Sequence, residues 1–155
     1  MPSQLILDDA FINIVRTLKS LSKCVSYQVA AILVKDNNII SIGYNGTPSG
    51  YINCRDVFKD YDAVTQREQH KEFSNKFEIH AEMNALLKCN VDKHGATMYV
   101  YVEPCWDCCK NMIAAGITRI VYYEKYDRMN FHREAMVKFL TDCDVKIEYY
   151  GDLHQ

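Results

Sequence analysis

Two short stretches hold the residues best suited to chemistry, His80-Ala81-Glu82 and Pro104-Cys105-Trp106-Asp107-Cys108. Cys105 and Cys108 are three positions apart, so in the first turn of a helix both sulfur atoms lie on one face and can bind the same metal ion. His80 supplies a third ligand from the start of another helix. Three protein ligands leave one tetrahedral position of a zinc ion open, which is the arrangement of a catalytic site.

Glu82 is predicted to stay off the metal. On a regular helix it lies roughly 200° around the axis from His80, so the two side chains cannot both bind one ion in a simple helical geometry. We expect the carboxylate to reach water at the open position and to act as a proton shuttle. A His-x-Glu triplet alone is common on surface helices, and it is the Pro-Cys-x-x-Cys stretch that makes the interpretation specific.

Composition narrows the classes of function. The 155 residues, 48% apolar and 25% charged, predict one soluble globular domain spanning 1–155. Apolar runs such as Val29–Val34 are far shorter than the roughly 20 residues of a membrane span, and Met1–Gln4 lacks signal-peptide features. We therefore expect a cytoplasmic protein without a membrane partner, in which seven cysteines indicate metal binding before disulfides. A net charge of −2 without any basic run favours a small substrate over a polynucleotide.

The elements that position these residues follow from periodicity, which predicts an α/β fold with one central mixed five-stranded sheet between helical layers. Asp8 and Asp9 are expected to interact favourably with the dipole of the first helix. The polar segment of about 51–78 is predicted to be a loop insertion. The predicted elements are a helix over 5–21, strands Gln28–Val34, Ile39–Tyr44, Thr97–Val102, Ile117–Tyr123 and Val145–Tyr150, and helices from His80, over Cys105–Ala115 with Gly116 as cap, and over Glu134–Leu140.

Four more metal-capable side chains occupy otherwise unexplained positions: Cys24, Cys54, His70 and Glu78. A closed four-ligand zinc site would fix the polar segment, which has too few apolar residues to form a core of its own. From spacing alone, an unrelated scatter of these residues is the alternative.

The His-x-Glu and Pro-Cys-x-x-Cys motifs resemble those of the zinc-dependent cytidine and deoxycytidylate deaminases. The similarity is to the dCMP deaminases of phages and vertebrates. It extends over Ser22–Ala31, Gly43–Gly50, Ile79–Leu87 and Pro104–Arg128. It implies a cytidine-deaminase-like fold and hydrolysis of dCMP to dUMP and ammonia, which supplies dUMP for dTTP synthesis.

The same resemblance assigns roles to individual residues. It implies a catalytic zinc at His80, Cys105 and Cys108, with Glu82 moving protons to the pyrimidine ring and the departing amine. It also implies a structural zinc at the four additional residues, Cys24, Cys54, His70 and Glu78.

Substrate contacts are implied in the same way. Asn45 is expected to contact the deoxyribose hydroxyl, and the backbone of Ala81 is expected to receive the pyrimidine carbonyl. The candidates for the 5′-phosphate are Ser22, Lys23 and Tyr126.

Assembly and regulation are further implications of the resemblance. It implies a homohexamer that dCTP activates and dTTP inhibits, with Mg²⁺ accompanying the triphosphate, at a site that includes Asn45, Gly46, Thr47 and Gly50. The sequence 87–91, Leu-Lys-Cys-Asn-Val, departs from the phage relatives, so regulation stays open, as does the use of dCTP as a substrate.

Two alternatives remain. One is a zinc deaminase acting on a free nucleoside or a polynucleotide base. The Ser22-Lys23 pair argues against the nucleoside, and the net charge argues against the polynucleotide. The other alternative is a non-catalytic, zinc-stabilised nucleotide-binding module. Glu82 argues against it, because a structural zinc site needs no acidic group beside the metal.

Overall fold

A computed structural model describes residues 2–155, and one mixed five-stranded sheet lies at its centre. The strands are Ala30–Lys35 (β1), Asn38–Tyr44 (β2), Thr97–Val102 (β3), Arg119–Glu124 (β4) and Lys146–Tyr149 (β5). The strand order is β2-β1-β3-β4-β5, in which β1 pairs antiparallel with β2 and β3, while β3, β4 and β5 are parallel. The predicted α/β class and mixed five-stranded sheet are confirmed.

Helices cover both faces of the sheet and make three layers. The helices are Gln4–Leu18 (α1), Cys54–Val57 (α2), Arg67–Phe77 (α3), Ala81–Lys88 (α4), Trp106–Ala114 (α5) and Arg133–Asp142 (α6). Alternate side chains of β1 point to opposite faces, so Ala31 and Leu33 pack in the core beneath α4, α5 and α6, whereas Ala30 and Ile32 pack in the core beneath α1. None of the helices within 2–155 has the length and apolarity needed to cross a bilayer.

Close packing between β2 and α4 places the first motif against the sheet. A Cβ atom on Gly43 would come within 2.2 Å of the carbonyl oxygen of Ala81 and 2.4 Å of the backbone nitrogen of Ala85. Only glycine permits this approach. The first turn of α4, which follows His80, is therefore fixed against the sheet.

The second motif lies where β3 ends. β3 and β4 are parallel, so their carboxyl ends meet at one edge of the sheet. The chain leaves β3 at Val102 and enters α5 at Trp106. α5 then ends as predicted, since Gly116 has φ +89° and its N–H donates to the carbonyl of Ile113 at 3.0 Å.

The segment 51–78 differs from the predicted loop, because it contains α2 and the eleven-residue α3. His70 is the only buried residue of α3, and Phe73 packs beside it, so the apolar stripe is too narrow to give a clear helical period. Cys24, Cys54 and Phe58 form the buried centre of this small unit, with Phe73 and Tyr61 against it. The helix is held by this side-chain cluster, which local periodicity does not reveal.

Candidate active site

The structure brings His80, Cys105 and Cys108 together. His80 directly precedes α4, Cys105 directly precedes α5, and Cys108 lies in the first turn of α5. The Nδ1 atom of His80 is 3.3 Å from Sγ of Cys108 and 3.6 Å from Sγ of Cys105. Tetrahedral zinc with ordinary bond lengths places nitrogen and sulfur ligands about 3.6 Å apart, so these residues fit a zinc ion.

The three groups strongly affect one another's protonation. A hydrogen bond with Cys108 lowers the pKa of the Cys105 thiol to about 4, against the opposing effect of burial. A hydrogen bond with Cys105 raises the pKa of His80 to about 9. A thiolate is thus favoured at Cys105, whereas the hydrogen bond with Cys105 and burial raise the pKa of the Cys108 thiol. A bound cation would be needed to hold the second thiolate and a neutral imidazole.

Glu82 lies beside the cluster and is 3% exposed. Its Oε2 atom accepts a hydrogen bond from Sγ of Cys108 at 3.1 Å. Burial raises the pKa of Glu82 and so favours its protonated form. A carboxyl group that can hold a proton next to a metal site is suited to general acid and base catalysis.

A known protein family matches most of this chain. Residues 6–124 match the family model described as the cytidine and deoxycytidylate deaminase zinc-binding region. The chain belongs to the cytidine and deoxycytidylate deaminase family.

Individual members of the deaminase family are similar over most of the chain. The deoxycytidylate deaminase of Enterobacteria phage T4 is 38% identical, with 69% of this chain and 72% of the phage protein covered. The crystal structure of dCMP deaminase from the cyanophage S-TIM5, solved in complex with dCMP and dUMP, superposes with a TM-score of 0.74 at 27% identity. That superposition covers 96% of this chain and 99% of the cyanophage chain. A diaminohydroxyphosphoribosylaminopyrimidine deaminase/5-amino-6-(5-phosphoribosylamino)uracil reductase from Thermotoga maritima shares the fold, with a TM-score of 0.64 at 20% identity over 96% of this chain and 37% of that chain.

A second cluster contains the four additional predicted ligands, Cys24, Cys54, His70 and Glu78, whose ligand atoms all lie within 4.8 Å of one another. Sγ of Cys24 is 3.5 Å from both Nε2 of His70 and Oε1 of Glu78. The Oε2 atom of Glu78 is buried without a hydrogen-bond partner among the described residues. Burial raises the pKa of Cys54 to about 12, so a free thiol here is neutral and a bound cation would be needed to hold the thiolate.

Asn45, a predicted sugar contact, is half-buried and shapes the loop after β2. Its Oδ1 atom accepts from the backbone N–H of Val29 at 2.9 Å, and its Nδ2 donates to the carbonyl of Tyr27 at 2.7 Å. One N–H of the amide is left for a ligand. Ala81 is buried in the first turn of α4, where backbone N–H groups lack partners within the helix.

The three predicted phosphate residues differ in their surroundings. Ser22 is fully buried, and its hydroxyl donates to the carbonyl of Asn45 at 3.0 Å and accepts from the N–H of Cys24 at 3.2 Å. The structure therefore does not support Ser22 as a phosphate contact, because both hydrogen-bonding functions of its hydroxyl join backbone segments. Lys23 is exposed, and Tyr126 is half-buried with its ring 6.2 Å from that of Tyr27.

The predicted regulatory loop is tied to the active site. Gly46 and Ile79 exchange two backbone hydrogen bonds of 3.1 and 2.8 Å, and Ile79 lies between Glu78 and His80 in the sequence. The Thr47 hydroxyl is buried without a hydrogen-bond partner among residues 2–155, and Gly50 takes a φ of +92° that favours glycine.

Glu103 is not among the residues predicted from the sequence. It is 3% exposed, directly precedes Pro104, and its carboxylate accepts hydrogen bonds from Tyr126 and Arg133. An acidic residue between a buried strand and a metal-binding turn was the available signal, because such a carboxylate requires partners when it is buried.

Proposed function

We propose that this protein catalyses the hydrolytic deamination of dCMP to dUMP with release of ammonia. The observation that carries the proposal is the cluster of His80, Cys105 and Cys108 with the buried carboxyl group of Glu82 beside it. Three ligands leave a coordination position open, and a proton-transfer group next to an open position distinguishes a catalytic site from a structural one.

The reaction can be followed through the chain's own residues. A zinc ion held by His80, Cys105 and Cys108 would supply the Lewis acidity that makes a water molecule nucleophilic at neutral pH. Glu82 accepts the proton that this water loses when its oxygen bonds to C4 of the cytosine ring. Glu82 donates this proton to N3, then takes the proton of the new C4 hydroxyl group and passes it to the amino group. The C4–N bond breaks, ammonia leaves, and the C4 carbonyl of uracil forms.

The identity of the substrate is supported by the relatives and by charge. The phage T4 relative is named a deoxycytidylate deaminase, and the cyanophage enzyme was crystallised with dCMP and dUMP. A net charge of −2 does not favour polynucleotide binding. In this proposal Asn45 and the backbone of Ala81 bind the nucleoside part, and Lys23 and Tyr126 bind the 5′-phosphate.

A structural zinc in the second cluster forms part of the proposal. All four candidate donors lie close together, and the buried, unpartnered oxygen of Glu78 supports a bound cation. Cys24, Cys54, His70 and Glu78 would close the coordination sphere, as structural zinc sites do. The ion would hold α2 and α3 against the segment before β1.

We extend the proposal to the biological setting on the basis of sequence resemblance. The enzyme would act in the cytoplasm as a homohexamer and provide dUMP for dTTP synthesis. Activation by dCTP with Mg²⁺, inhibition by dTTP and use of dCTP as a substrate stay predictions. They are tested by adding each nucleotide to assays at subsaturating dCMP.

The decisive experiment measures ammonia release by zinc-loaded protein with cytidine, deoxycytidine, dCMP, dCTP and a short single-stranded DNA. We expect the highest kcat/KM with dCMP. Equal or faster release from deoxycytidine or from DNA would contradict the proposed substrate. Absence of release from all five would favour the nucleotide-binding module.

A further inference from the structure

Glu103 connects the metal-binding turn to a distant part of the chain. It lies between the end of β3 and the Pro104-Cys105 turn, and it is 3% exposed. Its Oε1 accepts from the backbone N–H of Tyr126 at 3.0 Å and from Nη2 of Arg133 at 2.6 Å. Its Oε2 accepts from Nε of Arg133 at 2.8 Å. Both oxygens of the carboxylate thus take part in a buried, charge-assisted hydrogen-bond network.

These hydrogen bonds join both ends of the segment Lys125–His132, which we call the β4–α6 segment. Tyr126 lies at its start, and Arg133 is the first residue of α6. The same guanidinium also donates to Oδ1 of Asn130 at 3.1 Å. One side chain therefore sets the position of the whole segment relative to Cys105.

The β4–α6 segment flanks the residues that the proposed function uses. The ring of Tyr126 lies 6.2 Å from that of Tyr27, which is next to the Asn45 hydrogen bonds. The ring of His132 lies 6.4 Å from that of Trp106, the residue after Cys105. A displacement of the segment would therefore move an edge of the substrate pocket without moving a metal ligand.

We propose that Glu103 is a positioning residue that holds the β4–α6 segment in place and thereby sets the affinity for the 5′-phosphate through Tyr126. This inference rests on the proposed function for its choice of substrate. The network itself is independent of that choice. A purely structural role for Glu103 would instead change stability and leave the segment and the Michaelis constant unchanged.

The structure offers a matched control for Glu103→Gln. Asp8 is also a buried carboxylate, 2% exposed, and it accepts two hydrogen bonds from Arg119 at 2.8 and 2.9 Å. Arg119 begins β4, whereas Tyr126 follows its end, so this pair lies at the opposite end of the sheet. Asp8→Asn therefore removes the same kind of interaction far from the active site.

In steady-state assays, Glu103→Gln should raise KM for dCMP about tenfold, the effect of losing one charge-assisted contact, with kcat changed by no more than about twofold. The values for deoxycytidine should stay those of the wild type, as should the bound zinc. Asp8→Asn should leave KM for dCMP unchanged. Arg133→Lys keeps the charge but loses the bidentate geometry, and should give an intermediate KM; it replaces Glu103→Gln if that variant does not fold.

A second readout does not depend on turnover. Trp106 is the only tryptophan in the chain, and its neighbour His132 lies in the β4–α6 segment. Acrylamide should quench its fluorescence more strongly in Glu103→Gln than in the wild type or in Asp8→Asn. Unchanged quenching and unchanged KM would overturn the inference, as would equal changes in the Asp8 control. If wild-type protein fails to deaminate dCMP, the proposed function fails, and the quenching still decides whether Glu103 holds the segment.

Discussion

Glu82 is buried and lies beside the sulfur of Cys108, and for this reason it is the proposed proton-transfer group. Glu82→Gln keeps the shape of the side chain but cannot take up a proton. We expect kcat for dCMP to fall by about 10²–10⁴-fold, the usual contribution of general acid and base catalysis. Zinc content, measured by elemental analysis, should stay at the wild-type value, since Glu82 is not a ligand in the proposed mechanism. Loss of zinc together with activity would assign Glu82 to the metal instead.

Lys23 is an exposed side chain whose proposed partner is the 5′-phosphate. Lys23→Ala removes one charge-assisted contact, which is worth about 1.5–3 kcal/mol, so KM for dCMP should rise about tenfold or more. The KM for deoxycytidine, which has no phosphate, should change by less than about twofold. The control is Lys71→Ala, because Lys71 is also exposed but lies on α3. This substitution should change the KM of neither substrate. Equal effects on both substrates would remove Lys23 from the phosphate site.

At the scale of elements, α1 is joined to the sheet by a buried ion pair. The sequence predicts that Asp8 interacts with the dipole of α1, but Asp8 lies beyond the first turn and is buried against Arg119 and Tyr99. Burial raises the pKa of Asp8, and hydrogen bonds from Arg119, Tyr99 and Gln4 outweigh it, so the pKa lies below its ordinary value of 3.8. The sequence does not indicate this ion pair, because Arg119 is 111 positions away from Asp8 in the chain.

This lowered pKa gives stability a defined pH dependence. A carboxylate whose pKa is lower in the folded than in the unfolded protein stabilises the fold at pH values above its unfolded-state pKa. This contribution is lost as the pH falls through the folded-state pKa. Asp8→Asn should therefore lower the free energy of unfolding by about 3 kcal/mol at pH 7, which is at the lower end of the cost of breaking a buried ion pair. The cost is at the lower end because Glu148 still pairs with Arg119 in the variant. The difference from wild type should shrink below about pH 4. Urea titrations across pH would contradict this if the difference stayed constant.

The elements α2 and α3 depend on the second cluster. Cys54→Ser should reduce zinc from about two ions to about one per chain and should speed proteolytic cleavage within 51–78, because the segment has only a small core. Cys89→Ser is the matched control, since Cys89 is a buried cysteine outside both clusters. One zinc in the wild type, or unchanged proteolysis in Cys54→Ser, would exclude the structural zinc.

For the whole molecule, metal removal should affect stability as well as activity. Chelation of both proposed ions should lower the unfolding temperature by about 5–10 °C, since each kcal/mol corresponds to about 2–4 °C for a chain of this size. Zinc, but not calcium, should restore the temperature, because thiolate and imidazole donors select zinc. An unchanged unfolding temperature in scanning calorimetry would show that neither ion contributes to folding.

Much of the fold followed from local patterns. Alternating and β-favouring residues predicted β3 with its observed ends, Thr97 and Val102, and the glycine after α5 predicted its cap. α3 was not predicted, because its stability comes from contacts of His70 and Phe73 with Phe58 and Tyr61. Apart from Phe77 at its end, its remaining residues are polar. Periodicity detects a helix only when its buried face is wide enough.

The candidate site likewise has features that local sequence determines and features that depend on tertiary structure. The sequence by itself determined the donor set of His80, Cys105 and Cys108 and the presence of an acid beside it, since ligand chemistry and spacing within a helical turn are local properties. Only the tertiary structure decided that the second cluster closes across 46 positions between Cys24 and His70, and that Ser22 is buried. It also decided that Glu103 meets Arg133 30 positions away. Side chains so far apart meet only when strand register and helix packing bring them together, and no local pattern encodes that geometry.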